Sequence, residues 1–312
     1  MSRPRLLQIG ALTPGLDVKL PTLYDITVLP AGEERKAFLA AHGASFEGVA
    51  THVRHTLAAE VIDALPNAKV IANFGVGYDL IDVAAAKRRG MQVSNTPDVL
   101  TDCVADIAFG LLIDVARGIS TTDRFVRAGG WKKGQRPLMT RVSGKRLGII
   151  GLGMIGKAIA KRGGGFDMDV RYHGRRAQAA SPHQFEASLL ELARWSDFLV
   201  VSCVGGPETK HMVSAEVINA LGPEGFLINI ARGSVVDEAA LVAALTEKRL
   251  GGAALDVFEN EPNVPEAMLA MDNVVMLSHI AGFTRESRTA MEQLVCDNLA
   301  AFFSTGKVLT PV

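Results

Sequence analysis

Short apolar runs alternate with stretches of helical spacing along almost the whole chain. In the N-terminal third, Arg5-Leu6-Leu7-Gln8-Ile9, Tyr24 to Leu29, Glu47 to Thr51 and Lys69 to Phe74 read as strands. Glu33 to Ala41 reads as a helix, and Ala58 to Leu65 as another that stops at Pro66. The segment His52-Val53-Arg54-His55-Thr56 reads as a loop. Alternation of this kind predicts a parallel sheet with helices on both faces.

The character changes between Asn95-Thr96-Pro97-Asp98 and Leu100. A helix from about Asp102 to Val115, capped by Thr101 or Asp98, is hydrophobic nearly all round and is therefore expected to be buried on most sides. A domain crossover is placed here. The basic, glycine-containing stretch Arg124 to Arg146, which carries Trp131, lacks strand alternation and is expected to wrap a neighbouring surface. A second α/β unit begins at Leu147 to Ile150, a strand that opens at once into a glycine turn and then a helix through Lys157-Ala158-Ile159-Ala160-Lys161. Further strands are expected at Asp169 to His173, Phe198 to Ser202, Gly225 to Ile230, Gly252 to Phe258 and Val274 to Ser278, with a helix at Glu238 to Ala244. Arg285 to Phe303 reads as a long helix returning to the first domain. The expected fold is therefore α/β, with two doubly wound parallel-sheet domains, flavodoxin-like and Rossmann-like, and a cleft between them. Residues 1–99 plus 283–312 make the substrate domain, and 100–282 the cofactor domain. Two crossings make a hinge, so closure on ligand is expected.

Composition narrows the function. With 312 residues and 48% apolar content, two ordinary domains with sizeable cores are affordable. Lys plus Arg equals Asp plus Glu at 33 each, so no global field favours nucleic acid or an anionic membrane. Three scattered cysteines, Cys103, Cys203 and Cys296, suit a reducing compartment and form no metal-binding cluster, so no metal is expected. The basic start, Met1-Ser2-Arg3-Pro4-Arg5, precedes an apolar run too short for a signal peptide, and no run approaches the ~20 residues that span a bilayer. A cytoplasmic protein is the expectation.

The turn Gly151-Leu152-Gly153-Met154-Ile155-Gly156, set between a strand and a helix, is what a dinucleotide diphosphate requires. Gly151 permits the tight turn, Gly153 lets backbone approach the phosphates, and Gly156 lets helix and strand pack closely. The helix start offers free N–H groups and partial positive charge. An NAD-preferring site places a carboxylate at the end of the second strand, about 20 residues past the glycines. This chain has Gly174, Arg175 and Arg176 there, while Asp167 and Asp169 fall at the strand's other end. Paired guanidiniums bind a 2′-phosphate that a carboxylate would repel. NADP(H) is therefore expected over NAD(H).

Arg232, Glu261 and His279 each have an ordinary explanation alone: a surface arginine, a loop acid before Pro262, a core histidine. All three follow strands of one sheet, beyond the edge where ligands of doubly wound folds bind. Hydride transfer from a nicotinamide to a carbonyl leaves negative charge on the carbonyl oxygen. A histidine can supply the proton, a neighbouring carboxylate favours its charged form, and an arginine can hold an anionic substrate group and polarise the carbonyl.

The pieces Gly151-x-Gly-x-x-Gly156, Asn229-Ile-Ala-Arg232-Gly, Leu255-Asp-Val-Phe-Glu-Asn-Glu261-Pro and Ser278-His279-Ile-Ala-Gly resemble the D-isomer-specific 2-hydroxyacid dehydrogenases across essentially the whole chain. Within them the chain is most similar to the glyoxylate/hydroxypyruvate and hydroxyphenylpyruvate reductases. The resemblance implies that His279 is the acid/base, Glu261 its partner and Arg232 the carboxylate clamp, with backbone N–H groups of Val76 and Gly77 also holding the carboxylate. It implies that Asp256 orients the nicotinamide amide, that Val204, Thr209, Ala231 and Gly282 line the cofactor site, and that Trp131 enters the partner subunit's active site in a homodimer. Arg54, with Arg285 or Arg288 nearby, favours a polar substrate such as glyoxylate or hydroxypyruvate over an aromatic keto acid, with hydroxyphenylpyruvate or another 2-keto acid such as a sugar acid as the alternative within the family. An NAD(H)-sensing corepressor on the same fold is the rival from another class. The end of the chain at Val312 disfavours a phosphoglycerate dehydrogenase with a regulatory tail, and Glu261 disfavours a formate dehydrogenase, which carries glutamine there.

Overall fold

A computed structural model describes residues 3–312. Met1 and Ser2, part of the start considered above for a leader, lie outside the described residues. The chain forms two compact units, one of residues up to Leu100 together with Thr284–Val312, the other of Thr101–Phe283.

The first unit holds a five-stranded sheet: β1 (Arg5–Ile9), β2 (Asp25–Val28), β3 (Gly48–His52), β4 (Val70–Phe74) and β5 (Gln92–Ser94), in the order β2-β1-β3-β4-β5. Every pairing is parallel. β3 and β4 are buried at every position, which explains why they read as continuous apolar runs and do not alternate. Leu7, Val49, Ile71, Phe46 and Leu65 belong to the core on one side of this sheet. The helix Arg285–Thr305 packs in this unit, and its N-cap Thr284 and Ser287 form a reciprocal capping box. The helix Pro14–Leu23 was not legible in the pattern because Pro14 and Pro21 both lie within it. Pro14 sits in the first turn, where its missing N–H costs nothing, and Thr13 Oγ1 accepts from Leu16 N–H at 3.2 Å.

The second unit holds seven parallel strands: β6 (Arg146–Ile150), β7 (Asp169–His173), β8 (Gln184–Phe185), β9 (Phe198–Val201), β10 (Phe226–Asn229), β11 (Gly252–Leu255) and β12 (Val274–Met276). Their order, β12-β11-β10-β9-β6-β7-β8, is the doubly wound order with β6 at the point where the winding reverses. Leu199, Leu227 and Leu255 are buried in one core cluster with Ile218, Leu241 and Leu245 from the covering helices. Full burial of a side chain of that size is worth about 1.5–3 kcal/mol.

The apolar helix begins one residue earlier than expected and runs further, Thr101–Arg117. Val104, Ala105, Ala108, Phe109, Leu111, Leu112 and Val115 are buried along it. With Thr101 already inside the helix, it is not the cap. The stretch 124–146 is more regular at its start than its sequence suggested. A helix, Ile119–Arg127, reaches into it, and a single helical turn, Gly130–Lys133, follows. Trp131, in that turn, is 68% exposed, and Ile119, Val126, Leu138 and Met139 nearby are exposed too. Among the described residues no helix is long and apolar enough to cross a membrane.

Candidate active site

Register decides where the chemistry of the second unit collects. His173 pairs with Ile150, Ile150 with Val201, Val201 with Asn229, Asn229 with Leu255, and Leu255 with Met276. The last residues of six parallel strands therefore form one row, with neighbours about 4.8 Å apart. Whatever follows them emerges at a single edge of the sheet. Along that edge lie, in order, the turn after β12 with His279, the loop after β11 with Glu261, the turn after β10 with Arg232, the segment after β9 with Val204, the glycine turn after β6, and Gly174-Arg175-Arg176 after β7.

His279 Nδ1 lies 2.9 Å from Glu261 Oε2, and the other carboxylate oxygen, Oε1, accepts from Phe258 N–H at 3.2 Å. Because a carboxylate only accepts, Nδ1 carries the proton in this pair, and Nε2 is the nitrogen through which the ring can exchange a proton with substrate. His279 adopts a left-handed backbone conformation, φ 57°. A histidine there costs free energy that the surroundings must offset. Asp256 does so from the end of β11. Its carbonyl accepts from His279 N–H at 2.8 Å, Oδ1 from Ile280 N–H at 2.7 Å and Oδ2 from Ala281 N–H at 3.0 Å. Asp256 is 1% exposed, and burial pushes its carboxyl above the ordinary 3.8 against the lowering effect of those two N–H groups. This fastening of the His279 turn was not foreseen from the sequence.

Arg232 is placed by Asn229, another residue whose part the motif alone did not disclose. Asn229 Oδ1 accepts from Ala231 N–H at 3.0 Å, and Nδ2 donates to Arg232 O at 2.9 Å. Gly233 seals this turn onto the loop of Glu261, since a Cβ there would fall within 2.0 Å of Phe258 carbonyl atoms. Arg232 Nη1 donates to Ala231 O at 2.8 Å, and the side-chain stem lies over Gly205.

The glycine turn fits a diphosphate. Gly151, at φ 94°, is pressed against the backbone of Cys203, where a Cβ would come within 2.7 Å. A Cβ on Gly156 would fall 2.1 Å from Gly151 O, so strand and helix can meet only without one. A Cβ on Gly153 would meet nothing within 4 Å, leaving an open approach to the start of the helix Met154–Gly164. The backbone is bare where a phosphate would come close. Met154 and Val204 expose half or more of their surface beside this turn, while Ile155 and Gly282 are half-buried and Ala231 is buried. Thr209 Oγ1 donates to Val204 O at 2.9 Å, closing the loop after β9. On the far side, Gln178 Nε2 donates to Leu152 O at 2.7 Å, tying the loop of Gly174, Arg175 and Arg176 to the glycine turn. Both arginines are exposed. Asp169 pairs with Arg146 at the amino end of β7, remote from the ligand edge.

In the first unit, Arg54 and Arg288 lie near the end of β4. Arg288 stacks over Phe74 at 5.2 Å, and its pKa is lowered, first by burial and then by the charge of Arg54. Val76 and Gly77 follow β4 after Gly75.

A dinucleotide-type sheet with a histidine–carboxylate pair and a guanidinium just past the ends of adjacent strands defines a nicotinamide-dependent oxidoreductase. Residues 109–281 match the family profile of the D-isomer specific 2-hydroxyacid dehydrogenase, NAD binding domain. The chain is 49% identical to the hydroxyphenylpyruvate reductase of Plectranthus scutellarioides over 89% of each chain. It is 44% identical to the 2-ketogluconate reductase of Gluconobacter oxydans over 100% of this chain and 99% of that one. Among solved structures, the NADPH-dependent glyoxylate/hydroxypyruvate reductase of Sinorhizobium meliloti in complex with NADP and malonate superposes with a TM-score of 0.93 at 43% identity, covering 100% of this chain and 97% of that one. The chain belongs to the D-isomer specific 2-hydroxyacid dehydrogenases.

Proposed function

We propose that the protein reduces a small 2-keto acid, glyoxylate or hydroxypyruvate, to the D-2-hydroxy acid with NADPH. The observation that carries this reading is the His279–Glu261 pair, held at 2.9 Å on the same sheet edge as Arg232. Bound NADPH supplies the hydride. Arg232 binds the substrate carboxylate and polarises the adjacent carbonyl, aided by the backbone N–H groups of Val76 and Gly77. His279 delivers a proton from Nε2 to the carbonyl oxygen as negative charge develops there, and Glu261 steadies the imidazolium through Nδ1. Asp256 keeps the His279 turn in place and so fixes the direction of delivery.

Preference for NADP(H) rests on Arg175 and Arg176 at the end of β7, with no carboxylate at that position. Gly151, Gly153 and Gly156 with the start of their helix hold the diphosphate, and Met154 and Val204 give apolar cover. Arg54 and Arg288 favour a polar substrate, which places glyoxylate and hydroxypyruvate ahead of hydroxyphenylpyruvate. A sugar acid of the 2-ketogluconate kind is the second reading, supported by the Gluconobacter oxydans relative. A homodimer is the natural partner state, with exposed Trp131, Leu138 and Met139 as the apolar arm that a second copy would cover. Three free cysteines suit the cytoplasm. A panel of glyoxylate, hydroxypyruvate, hydroxyphenylpyruvate and 2-ketogluconate, each with NADPH and NADH, tests the reading. Highest kcat/KM with NADPH and one of the first two is expected; no turnover of any would remove it and favour a non-enzymatic NAD(H) sensor.

A further inference from the structure

Resting on the keto-acid reading above, we propose that Asn73 and Asn95 are positioning residues that aim three consecutive N–H groups, of Val76, Gly77 and Tyr78, at the substrate carboxylate. The loop after β4 has its carbonyls held one by one. Gly75 O accepts from Thr96 N–H at 3.0 Å and from Asn73 Nδ2 at 3.3 Å. Val76 O accepts from Asn95 Nδ2 at 2.8 Å. Gly77 O accepts from the same Asn73 Nδ2 at 2.9 Å. In a planar trans peptide the N–H of each residue points opposite to the carbonyl of the residue before it. Fixing the carbonyls of 75, 76 and 77 on their donors therefore turns the N–H groups of 76, 77 and 78 the other way. Successive N–H groups presented together make an anion-binding concavity.

Two details show that the two carboxamides are placed for this. Both hydrogens of Asn73 Nδ2 are committed to the loop, while Asn73 Oδ1 is buried with no hydrogen-bond partner among the described residues. A buried acceptor left unpaired costs stability. Keeping a carboxamide at a position that is 1% exposed is explained by what its donor side does. Asn95 is fixed in turn by the C-terminal segment. Thr310 Oγ1 donates to Asn95 O at 2.6 Å, and Asn298 Nδ2 donates to Thr310 Oγ1 at 3.0 Å. The last residues of the chain thereby brace the loop from behind.

Asn95→Ala and Asn73→Ala test this with NADPH and two probes: the best keto acid of the panel and its methyl ester. The ester keeps the carbonyl and removes the negative charge. Wild type is expected to prefer the acid strongly. In either variant, KM for the acid should rise about tenfold or more, kcat should change far less, and the acid-to-ester ratio of kcat/KM should fall about tenfold, the loss of a hydrogen bond to a charged group. NADPH affinity should stay as in wild type. If Asn73→Ala does not fold, Asn95→Ala decides, because that side chain is only half-buried. A folded Asn95→Ala enzyme that keeps the wild-type acid-to-ester ratio overturns the inference while leaving the proposed reaction standing. A wild-type enzyme that reduces no keto acid overturns both.

Discussion

Glu261 Oε2 meets His279 Nδ1 at 2.9 Å, although the two residues leave the sheet from different strands, β11 and β12. The pairing of Leu255 with Met276 at the ends of those strands makes the meeting possible. Glu261→Gln keeps a hydrogen-bond acceptor for Nδ1 but removes the charge that steadies an imidazolium. We expect kcat to fall about tenfold or more, the difference between a charged and a neutral partner, with NADPH affinity unchanged. Steady-state rates and a fluorescence titration with NADPH check this; an undiminished kcat would mean that Glu261 only shapes its loop.

Arg175 and Arg176 follow β7, and the proposed use of NADPH assigns them the 2′-phosphate. Replacing both with alanine should reduce the ratio of kcat/KM for NADPH over NADH by about 10²-fold, from the loss of two charge-assisted contacts worth about 1.5 kcal/mol or more each. Rates with NADH should barely move. A ratio that survives the double substitution would place 2′-phosphate recognition elsewhere.

Asp256 supplies a pH test with a definite sign. Burial raises its carboxyl pKa above the ordinary 3.8, so the folded chain holds that proton more tightly than the unfolded chain does. Its contribution to stability is therefore greatest below the ordinary value and declines as pH rises through the raised one. Asp256→Asn has no such titration and loses one of two acceptors, a cost of about 1–3 kcal/mol. The stability gap between wild type and variant, read from denaturant unfolding, should be wider near pH 4 than near pH 7. A gap that widens with rising pH would mean that the Ile280 and Ala281 N–H groups outweigh burial.

Cys203 sits beside the glycine turn, and burial pushes its thiol up to about 11. At pH 8 only about one molecule in a thousand would carry the thiolate at that value. Native protein treated with iodoacetamide at that pH should leave Cys203 unmodified by peptide mass spectrometry, while denatured protein is fully alkylated. Rapid labelling of the native chain would show that the turn opens.

The architecture was largely legible because its strands are buried on both faces and short, so apolar runs such as Val70–Phe74 and Phe198–Val201 stand out. The edge followed from reading what comes after each strand, and the structure does set Arg232, Glu261 and His279 in the segments that follow three adjacent strands of one sheet. What stayed hidden acts through backbone atoms. Asp256 fastening the His279 turn, Asn229 shaping the turn of Arg232 and Gln178 tying the arginine loop to Leu152 all depend on where a carbonyl or N–H points, which no side-chain periodicity records. The helix Ile119–Arg127 was missed for another reason: it is short and mostly polar, and the few apolar residues on its one apolar side, Ile119 and Val126 among them, are left exposed.

The most direct test replaces His279 with alanine and follows NADPH oxidation by glyoxylate and hydroxypyruvate at the cofactor's absorbance band. Loss of a general acid of this kind should lower kcat by about 10²–10⁴-fold while NADPH still binds as in wild type. A variant that turns over at the wild-type rate would contradict the account at its centre.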